Sequence, residues 1–307
     1  MEMSYPYPKG SERVKWVSTD WLEENLHKRM SILDVQPNIH DYIVEHVPGA
    51  VYLNEEFLRA SYRGLCGMFM DGPAVEPYFT RVGVRMDTPV LIYTGKGASR
   101  GWGDGLEQTM MAYGLSRYGH DNVYLLDGGL DKWKAEGRPL VQEFPQIDEG
   151  GFESSVQEDF FIRYPEFKEV KDRDDVTLLD ARPAAVYEGK GPWRKPGHIP
   201  GAVSLPWASL MTKDNTRKLK DIEEIKELAE KAGATKDKCI ICSCGTGREA
   251  TNEFNIFRWL LGYPRVRIYE GSFTEWSSYP ENPTVVGKEP WGEGGKPKAK
   301  MAQTARS

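Results

Sequence analysis

The chain carries the same set of short motifs twice, in the same order. The copies are EHVPGAVYL and GHIPGAVSL at residues 45–53 and 197–205, and DGGLDKW and EGSFTEW at residues 127–133 and 270–276. Before the first motif of each copy lies a short apolar run that ends in aspartate, SILD at 31–34 and TLLD at 177–180. Three matches in one order indicate duplication of a whole domain. A chain of 307 residues accommodates two domains of about 100–150 residues each.

Short apolar runs alternate with segments of helical spacing in the second copy. The runs at 176–179, 202–205, 239–243 and 266–269 predict strands buried on both faces, and segments 221–232 and 250–261 predict helices, the second ended by Gly262. This alternation predicts an α/β fold of two duplicated domains, each a mainly parallel sheet with helices on both faces.

Composition shifts divide the chain further. The first predicted domain covers residues 14–138 and the second covers residues 161–286. Residues 139–160, with their prolines and paired glycines, are predicted to be a linker, and residues 287–307, rich in Gly, Lys and Pro, a flexible tail.

Charge and hydropathy exclude several classes of partner. The formal net charge is −6, from 40 basic and 46 acidic residues without long runs of one sign, which argues against nucleic acid or an anionic membrane surface. No apolar run reaches the roughly 18 residues that span a bilayer. The first ten residues lack the apolar segment of a secretory signal, so we expect a cytoplasmic protein.

Three of the four cysteines, Cys239, Cys242 and Cys244, crowd into six positions, and Cys66 stands apart. No second Cys or His cluster supplies further ligands, so we expect no metal and no cofactor. Cys239 and Cys242 are expected to be structural, because free cysteines are usually buried in cores.

The segment CSCGTGREAT at residues 242–251 is the strongest chemical signal. A predicted strand delivers Cys244 to the carboxyl edge of the sheet, where ligands bind in open α/β folds. Gly245 and Gly247 allow a tight loop with N–H groups directed inward, and the following helix adds its positive end. These features favour a nucleophilic thiolate at Cys244.

With these motifs, the chain resembles the tandem-rhodanese sulfurtransferases, the thiosulfate and 3-mercaptopyruvate enzymes, over about residues 14–286. The matching pieces are LDAR at 179–182, GHIPGA at 197–202, the Cys244 loop, LGYP at 261–264 and EGSFTEW at 270–276, with YGH at 118–120 and LDGG at 126–129 in the first copy. The resemblance implies a silent first domain, in which Thr94 stands in place of the cysteine, and a catalytic second domain.

The resemblance further implies that Cys244 takes the outer sulfur of a donor as a persulfide and passes it to cyanide or a thiol. The implied substrate-binding residues are the remainder of the loop and one arginine that is also expected to brace it: Gly245, Thr246, Gly247, Arg248, Glu249 and Arg182. Thiosulfate is the expected donor and 3-mercaptopyruvate the alternative. The acidic Glu249 is unusual at the end of this loop and weakens attraction for a dianion.

Two further hypotheses stay open at this point. A protein phosphatase of similar architecture needs Cys-x5-Arg, whereas the arginine here follows Cys244 by four positions, which argues against phosphate chemistry. A non-catalytic sulfur-binding or regulatory module is the other alternative, and the intact Cys244 loop argues against it.

Overall fold

The structure is a computed structural model, and it describes residues 7–98, 101 and 103–296. The last part of the predicted tail, residues 297–307, and residues 1–6 of the start lie outside the described residues. No helix of the described part combines the length and apolar character that crossing a membrane requires.

The first half of the chain is built on a six-stranded sheet of order β1-β2-β8-β7-β3-β4, parallel except for β1 against β2, with a separate hairpin of β5 and β6. Its strands are β1 (Lys9–Ser11), β2 (Val14–Val17), β3 (Ser31–Asp34), β4 (Ala50–Tyr52), β5 (Arg59–Tyr62), β6 (Leu65–Phe69), β7 (Val90–Tyr93) and β8 (Val123–Leu126). Its helices are α1 (Thr19–Asn25), α2 (Ile39–Val44), α3 (Gly72–Arg81), α4 (Leu106–Arg117) and α5 (Gly129–Ala135).

The second half repeats this plan with a five-stranded, fully parallel sheet of order β11-β10-β12-β13-β9. Its strands are β9 (Phe161–Ile162), β10 (Val176–Asp180), β11 (Val203–Ser204), β12 (Cys239–Ser243) and β13 (Val266–Tyr269). Its helices are α6 (Tyr164–Val170), α7 (Ile222–Lys231), α8 (Ala250–Asn255) and α9 (Ser272–Ser278). Single helical turns lie at Glu55–Leu58, Glu158–Phe160, Val186–Lys190, Trp207–Leu210 and Ile256–Leu260.

Alternate residues of the central strands face opposite cores, as a strand buried on both sides requires. In β7, Val90 and Ile92 join the core that contains residues of α4, whereas Leu91 and Tyr93 pack with residues of α1 and α5. The second domain divides its core in the same way, with Ile240 on one face of β12 and Ile241 on the other. The predicted fold class, two parallel sheets each covered by helices on both faces, is confirmed.

The helix predicted at residues 250–261 has an irregular second half. α8 is a regular α-helix only to Asn255, and the chain then continues through the wider turns of Ile256–Leu260. Gly262 follows with φ at +65°, a conformation open to glycine, so the predicted stop is confirmed.

The two halves share one apolar core, because α4 and α8 pack against each other. The side chains of Thr109 and Thr251 lie 3.2 Å apart at this contact. Also between the two halves, Arg117 of α4 donates to both carboxylate oxygens of Glu270 at 2.6 and 3.1 Å. A buried, bidentate pair of this kind fixes one relative orientation of its two elements.

The first part of the predicted tail contacts the second domain. Pro290 O accepts a hydrogen bond of 2.7 Å from Gly201 N, and the Lys171 ammonium lies 5.4 Å from the centre of the Trp291 ring. These contacts place residues 290 and 291 over the turn that carries the second copy of the His-x-Pro-Gly motif.

Candidate active site

Cys244 is the first residue beyond the carboxyl end of β12, the strand between β10 and β13. The register pairs Asp180 with Ser243, so the Cys244 loop begins where the sheet ends. Cys244 O accepts a hydrogen bond of 3.0 Å from Phe273 N, and Cys244 N donates to Ser272 Oγ at 3.1 Å. The residue has no exposed surface. The fold thus places one thiol at the sheet edge, beneath the interface between the domains.

The loop after Cys244 curls back over the sulfur, and glycine makes this possible. Gly247 adopts φ +82°, and a Cβ at this position would lie 2.7 Å from Glu270 O. Because glycine has no Cβ, the loop can close here, and Gly247 N lies 3.1 Å from Cys244 Sγ. The backbone amides of Thr246 and Ala250 also favour the ionised thiol. The predicted inward-facing amides of the loop are found around Sγ.

The expectation of a thiolate at rest is wrong for this structure. Burial raises the pKa of Cys244 far above its usual range, and the charge of Glu249 and a hydrogen bond to its carboxylate raise it further, while the loop amides oppose these effects. The sequence pattern identified the loop amides but not the complete desolvation of the sulfur, which disfavours a buried charge. The structure therefore favours the protonated thiol over the thiolate at Cys244.

Arg248 and Glu249 diverge at the end of the loop. Arg248 donates to three carboxylates of the first domain: from Nε to Glu55 at 2.8 Å, from Nη1 to Asp104 at 2.7 Å and from Nη2 to Glu107 at 3.1 Å. Glu249 precedes α8 without a side-chain capping bond and is the carboxylate that interacts with the Cys244 thiol. The negative side chain of Glu249 therefore lies near the sulfur, whereas the positive side chain of Arg248 binds the neighbouring domain.

Arg182 lies under the loop and is almost fully buried, at 1% exposed. It donates to both oxygens of Asp180 and to Gly197 O, at 2.6–3.1 Å. Its guanidinium stacks on Phe273 and Trp193, at 4.3 and 5.3 Å from the ring centres. These contacts suit the predicted bracing role, and Nη1 has no protein partner. Its assignment to substrate binding stays a prediction.

The comparison with known families decides what these domains are. The family described as "Rhodanese-like domain" matches the chain twice, over residues 18–136 and 164–279. The chain belongs to the rhodanese-like family. It carries the domain in tandem, as its motifs predicted, and the second copy holds the Cys244 loop.

Relatives of known name cover most of the chain. A Synechococcus elongatus protein named "Putative thiosulfate sulfurtransferase" is 35% identical over 278 residues, which are 86% of this chain and 83% of that protein. The "Sulfur carrier protein TtuD" of Thermus thermophilus is 31% identical over 311 residues, 94% of this chain and all of that protein. The tandem rhodanese-like chain therefore belongs with proteins of sulfur transfer.

A solved structure shares the fold at lower sequence similarity. The anaerobic ergothioneine biosynthesis enzyme from Chlorobium limicola superposes with a TM-score of 0.76 at 22% identity, over 89% of this chain and 70% of that one. This likeness concerns the arrangement of the two rhodanese-like domains.

In the first rhodanese-like domain, a side chain from the second domain occupies the loop that corresponds to the Cys244 loop. The register pairs Asp34 with Tyr93, so Thr94 occupies the position equivalent to Cys244. Arg217 enters this loop from the second domain, with Nη1 3.1 Å from Gly103 O, and is 5% exposed. The first copy thus lacks the thiol and also holds a protein side chain at its sheet edge.

Three residues that contact the rhodanese-like loop were not predicted. Ser272 bonds Cys244 N, Trp193 Nε1 donates to Thr274 Oγ1 at 2.8 Å over Gly245, and Arg59 Nη1 donates to Thr246 O at 3.0 Å. Ser272 belongs to a repeated motif, so its place near the sheet edge was accessible from the sequence. Arg59 lies in a hairpin of the silent domain, and no pattern connects it with Cys244.

Proposed function

We propose that the protein is a sulfurtransferase that moves a sulfane sulfur from thiosulfate to cyanide or a thiol through a persulfide on Cys244. The observation that carries this proposal is the position of Sγ, 3.1 Å from the Gly247 amide inside a loop of donors. A ring of N–H groups stabilises a thiolate, and it suits the terminal sulfur of a persulfide equally well.

The first half-reaction makes the persulfide. The Cys244 thiol passes its proton to the Glu249 carboxylate, its hydrogen-bond partner. The thiolate then attacks the outer sulfur of thiosulfate, a new S–S bond forms at Sγ, and the S–S bond of the donor breaks. The bonding electron pair leaves with sulfite. The loop amides stabilise the sulfur anion during this step, as fixed dipoles do in a water-poor site.

The second half-reaction returns the enzyme to its starting state. Cyanide or a thiolate attacks the outer sulfur of the persulfide, and the Sγ–S bond breaks with its electron pair on Sγ. Sγ then takes back the proton that Glu249 received in the first half-reaction. Thiocyanate or a new persulfide leaves. No external oxidant or reductant is needed, because the sulfane sulfur moves between two nucleophiles of similar character.

Two observations bear on the donor. A relative of 35% identity carries thiosulfate in its name, which supports thiosulfate. The residue after Cys244 is glycine, whereas thiosulfate enzymes usually carry a basic residue there, and this favours 3-mercaptopyruvate as the alternative. Steady-state kinetics with the two donors, side by side and with cyanide as acceptor, test the choice. A larger kcat/KM for 3-mercaptopyruvate would contradict the thiosulfate assignment and leave the Cys244 chemistry intact.

A carrier role is the second candidate, because a relative of 31% identity is named a sulfur carrier protein. A carrier accepts sulfur from a donor and gives it to a partner protein, with little turnover toward small acceptors. The two functions separate in one assay. The protein is first incubated with thiosulfate, excess donor is removed, and cyanide is added. An enzyme then releases all its cyanolysable sulfur as thiocyanate within its turnover time. A carrier retains sulfur until a partner protein is added, and a non-catalytic module takes up none.

A further inference from the structure

The β5–β6 hairpin of the first domain lies directly over the Cys244 loop. A Cβ built on Gly67 of β6 would sit 3.4 Å from Thr246 Cβ, so the two backbones approach closely. Arg59, the first residue of β5, extends beneath this contact, and its side chain is 15% exposed. The silent domain thereby places one cation against the catalytic loop.

Arg59 hydrogen-bonds one residue of the loop, Thr246. Its Nη1 donates to Thr246 O at 3.0 Å and lies 3.3 Å from Thr246 Oγ1. Glu55, one helical turn earlier, approaches Nη2 at 4.0 Å and also accepts from Arg248 Nε. The carboxylate that binds Arg248 at the other end of the loop thus also lies near Arg59, at the limit of an ion pair.

The carbonyl that Arg59 binds and the amide that reaches the sulfur belong to the same peptide plane. Thr246 O and Gly247 N are the two ends of one trans peptide, and they point in opposite directions. While Arg59 holds the oxygen, the N–H is directed at Cys244 Sγ, 3.1 Å away. A charged donor at the carbonyl also polarises the peptide and strengthens the N–H as a donor.

The glycine that permits this geometry does not hold it by itself. Gly247 tolerates a wide range of φ, so the Thr246–Gly247 peptide turns at low cost unless an outside contact fixes it. Within the described residues, Arg59 is the side chain of the first domain that bonds this carbonyl.

We propose that Arg59 is a positioning residue for sulfur transfer, holding the Thr246 carbonyl so that the Gly247 N–H stays directed at the sulfur of Cys244. This inference rests on the proposed function for its role in turnover, but its geometric content concerns the thiol alone. It gives the silent domain a part in the reaction: that domain orients a donor of the catalytic loop and contributes no reacting group.

The experiment compares the ionised fraction of Cys244 between variants. Below the pKa of the thiol, the rate at which iodoacetamide modifies Cys244 at a fixed pH, followed by mass spectrometry, is proportional to that fraction and needs no sulfur donor. Arg59→Met should lower this rate and kcat/KM about tenfold each, the loss expected for one hydrogen bond from a charged group. Arg59→Lys should restore part of both.

A matched control separates positioning from simple loss of charge. Arg63 lies in the turn of the same hairpin and is exposed, so Arg63→Met removes the same charge and should leave the rate of Cys244 modification unchanged. The effect of Arg59→Met should persist at about 1 M salt, where the Debye length is about 3 Å and through-space attraction is screened. Unfolding curves identify a variant that has lost its fold.

The outcomes distinguish this inference from the proposed function. An unchanged rate of Cys244 modification in folded Arg59→Met, or a loss of rate that salt abolishes, overturns the positioning role even if the protein transfers sulfur normally. A salt-resistant loss of rate in a protein that transfers no sulfur overturns the proposed function and leaves the positioning of the amide intact.

Discussion

Arg248 Nη2 donates to Glu107 Oε1 at 3.1 Å, joining the end of the Cys244 loop to the start of α4 in the other domain. Glu107 is 3% exposed and also accepts from Gly105 N at 3.0 Å. Burial and the charge of Asp104 raise the pKa of Glu107 to about 7, although Arg248 acts in the opposite direction. This carboxyl titrates in the neutral range, at the junction of the two domains.

Stability should therefore fall as the pH rises toward neutrality. An ordinary glutamate carboxyl titrates near 4.5. Between that value and about 7 the unfolded chain is ionised at Glu107 while the folded protein keeps the proton, so folding loses free energy across this window. The free energy of unfolding, measured with urea, should be lower at pH 8 than at pH 5, and Glu107→Gln should reduce this difference by about 1–3 kcal/mol. An identical pH dependence in the variant would contradict the raised pKa.

Removal of the guanidinium should loosen the junction. Arg248→Gln leaves Glu55, Asp104 and Glu107 without their shared partner, and should lower the free energy of unfolding by about 2 kcal/mol. Both sulfur donors should lose activity by similar factors, because the contacts of Arg248 lie in the first domain. Arg163→Gln is the matched control, since Arg163 pairs with Glu158 at the exposed surface and should cost under about 1 kcal/mol. A loss confined to one donor would instead assign Arg248 to substrate binding.

Much of the second domain followed from local patterns. The predicted strands at 239–243 and 266–269 coincide with β12 and β13, and the helix predicted at 221–232 contains α7, which has Asp221 as its N-cap. Buried parallel strands are continuous apolar runs, and amphipathic helices have one apolar face, so both are visible within a few residues of sequence. The Cys244 loop was predicted on the same local basis.

What the sequence did not show depends on contacts between distant segments. Arg248 was assigned to substrate binding beside Glu249, yet its partners come from the first domain, the nearest in sequence being Glu107. Arg59 reaches Thr246 from an equally remote hairpin. The raised pKa of Cys244 was also missed, because its largest cause is the complete burial of the sulfur, which a local sequence pattern does not show.

Cys244 alone should carry the transferred sulfur. Mass spectrometry after thiosulfate treatment should find one added sulfur atom on the Cys244 peptide, and Cys244→Ser should abolish turnover. Cys242 is fully buried in the shared core, and Cys239 is partly buried, so their serine variants should mainly lower stability. The exposed Cys66 provides the control, because Cys66→Ser should change neither property. Retained turnover in Cys244→Ser would end the proposal.

The position of Thr94 suggests that the first domain has no reacting group. The Thr94 hydroxyl lies 3.3 Å from Glu107 Oε2, and the residue has no exposed surface. Thr94→Ala should keep kcat/KM within a few-fold of the unaltered protein, since it removes one weak hydrogen bond far from Sγ. A decrease on the order of 10³, comparable with the loss of a catalytic group, would show that chemistry occurs in the first copy.

Glu249 should influence which donor is used, because its carboxylate interacts with the thiol that the donor must reach. Thiosulfate carries two negative charges and 3-mercaptopyruvate one, so a fixed carboxylate repels the first more strongly. At about 5–6 Å and an effective dielectric constant near 20, each like-charged pair costs about 3 kcal/mol before screening, and about 1 kcal/mol after it.

Glu249→Gln should therefore raise the ratio of kcat/KM for thiosulfate to that for 3-mercaptopyruvate several-fold. The ratio is the informative quantity, because both donors lose the same proton acceptor and that loss cancels. Glu253→Gln serves as the control, since Glu253 is buried one helical turn further along α8, where burial disfavours its charged form and raises its pKa well above the usual range. Equal responses of the two donors to Glu249→Gln would show that this carboxylate has no part in substrate choice and serves the start of α8, where a negative side chain is favoured by about 0.3–1 kcal/mol.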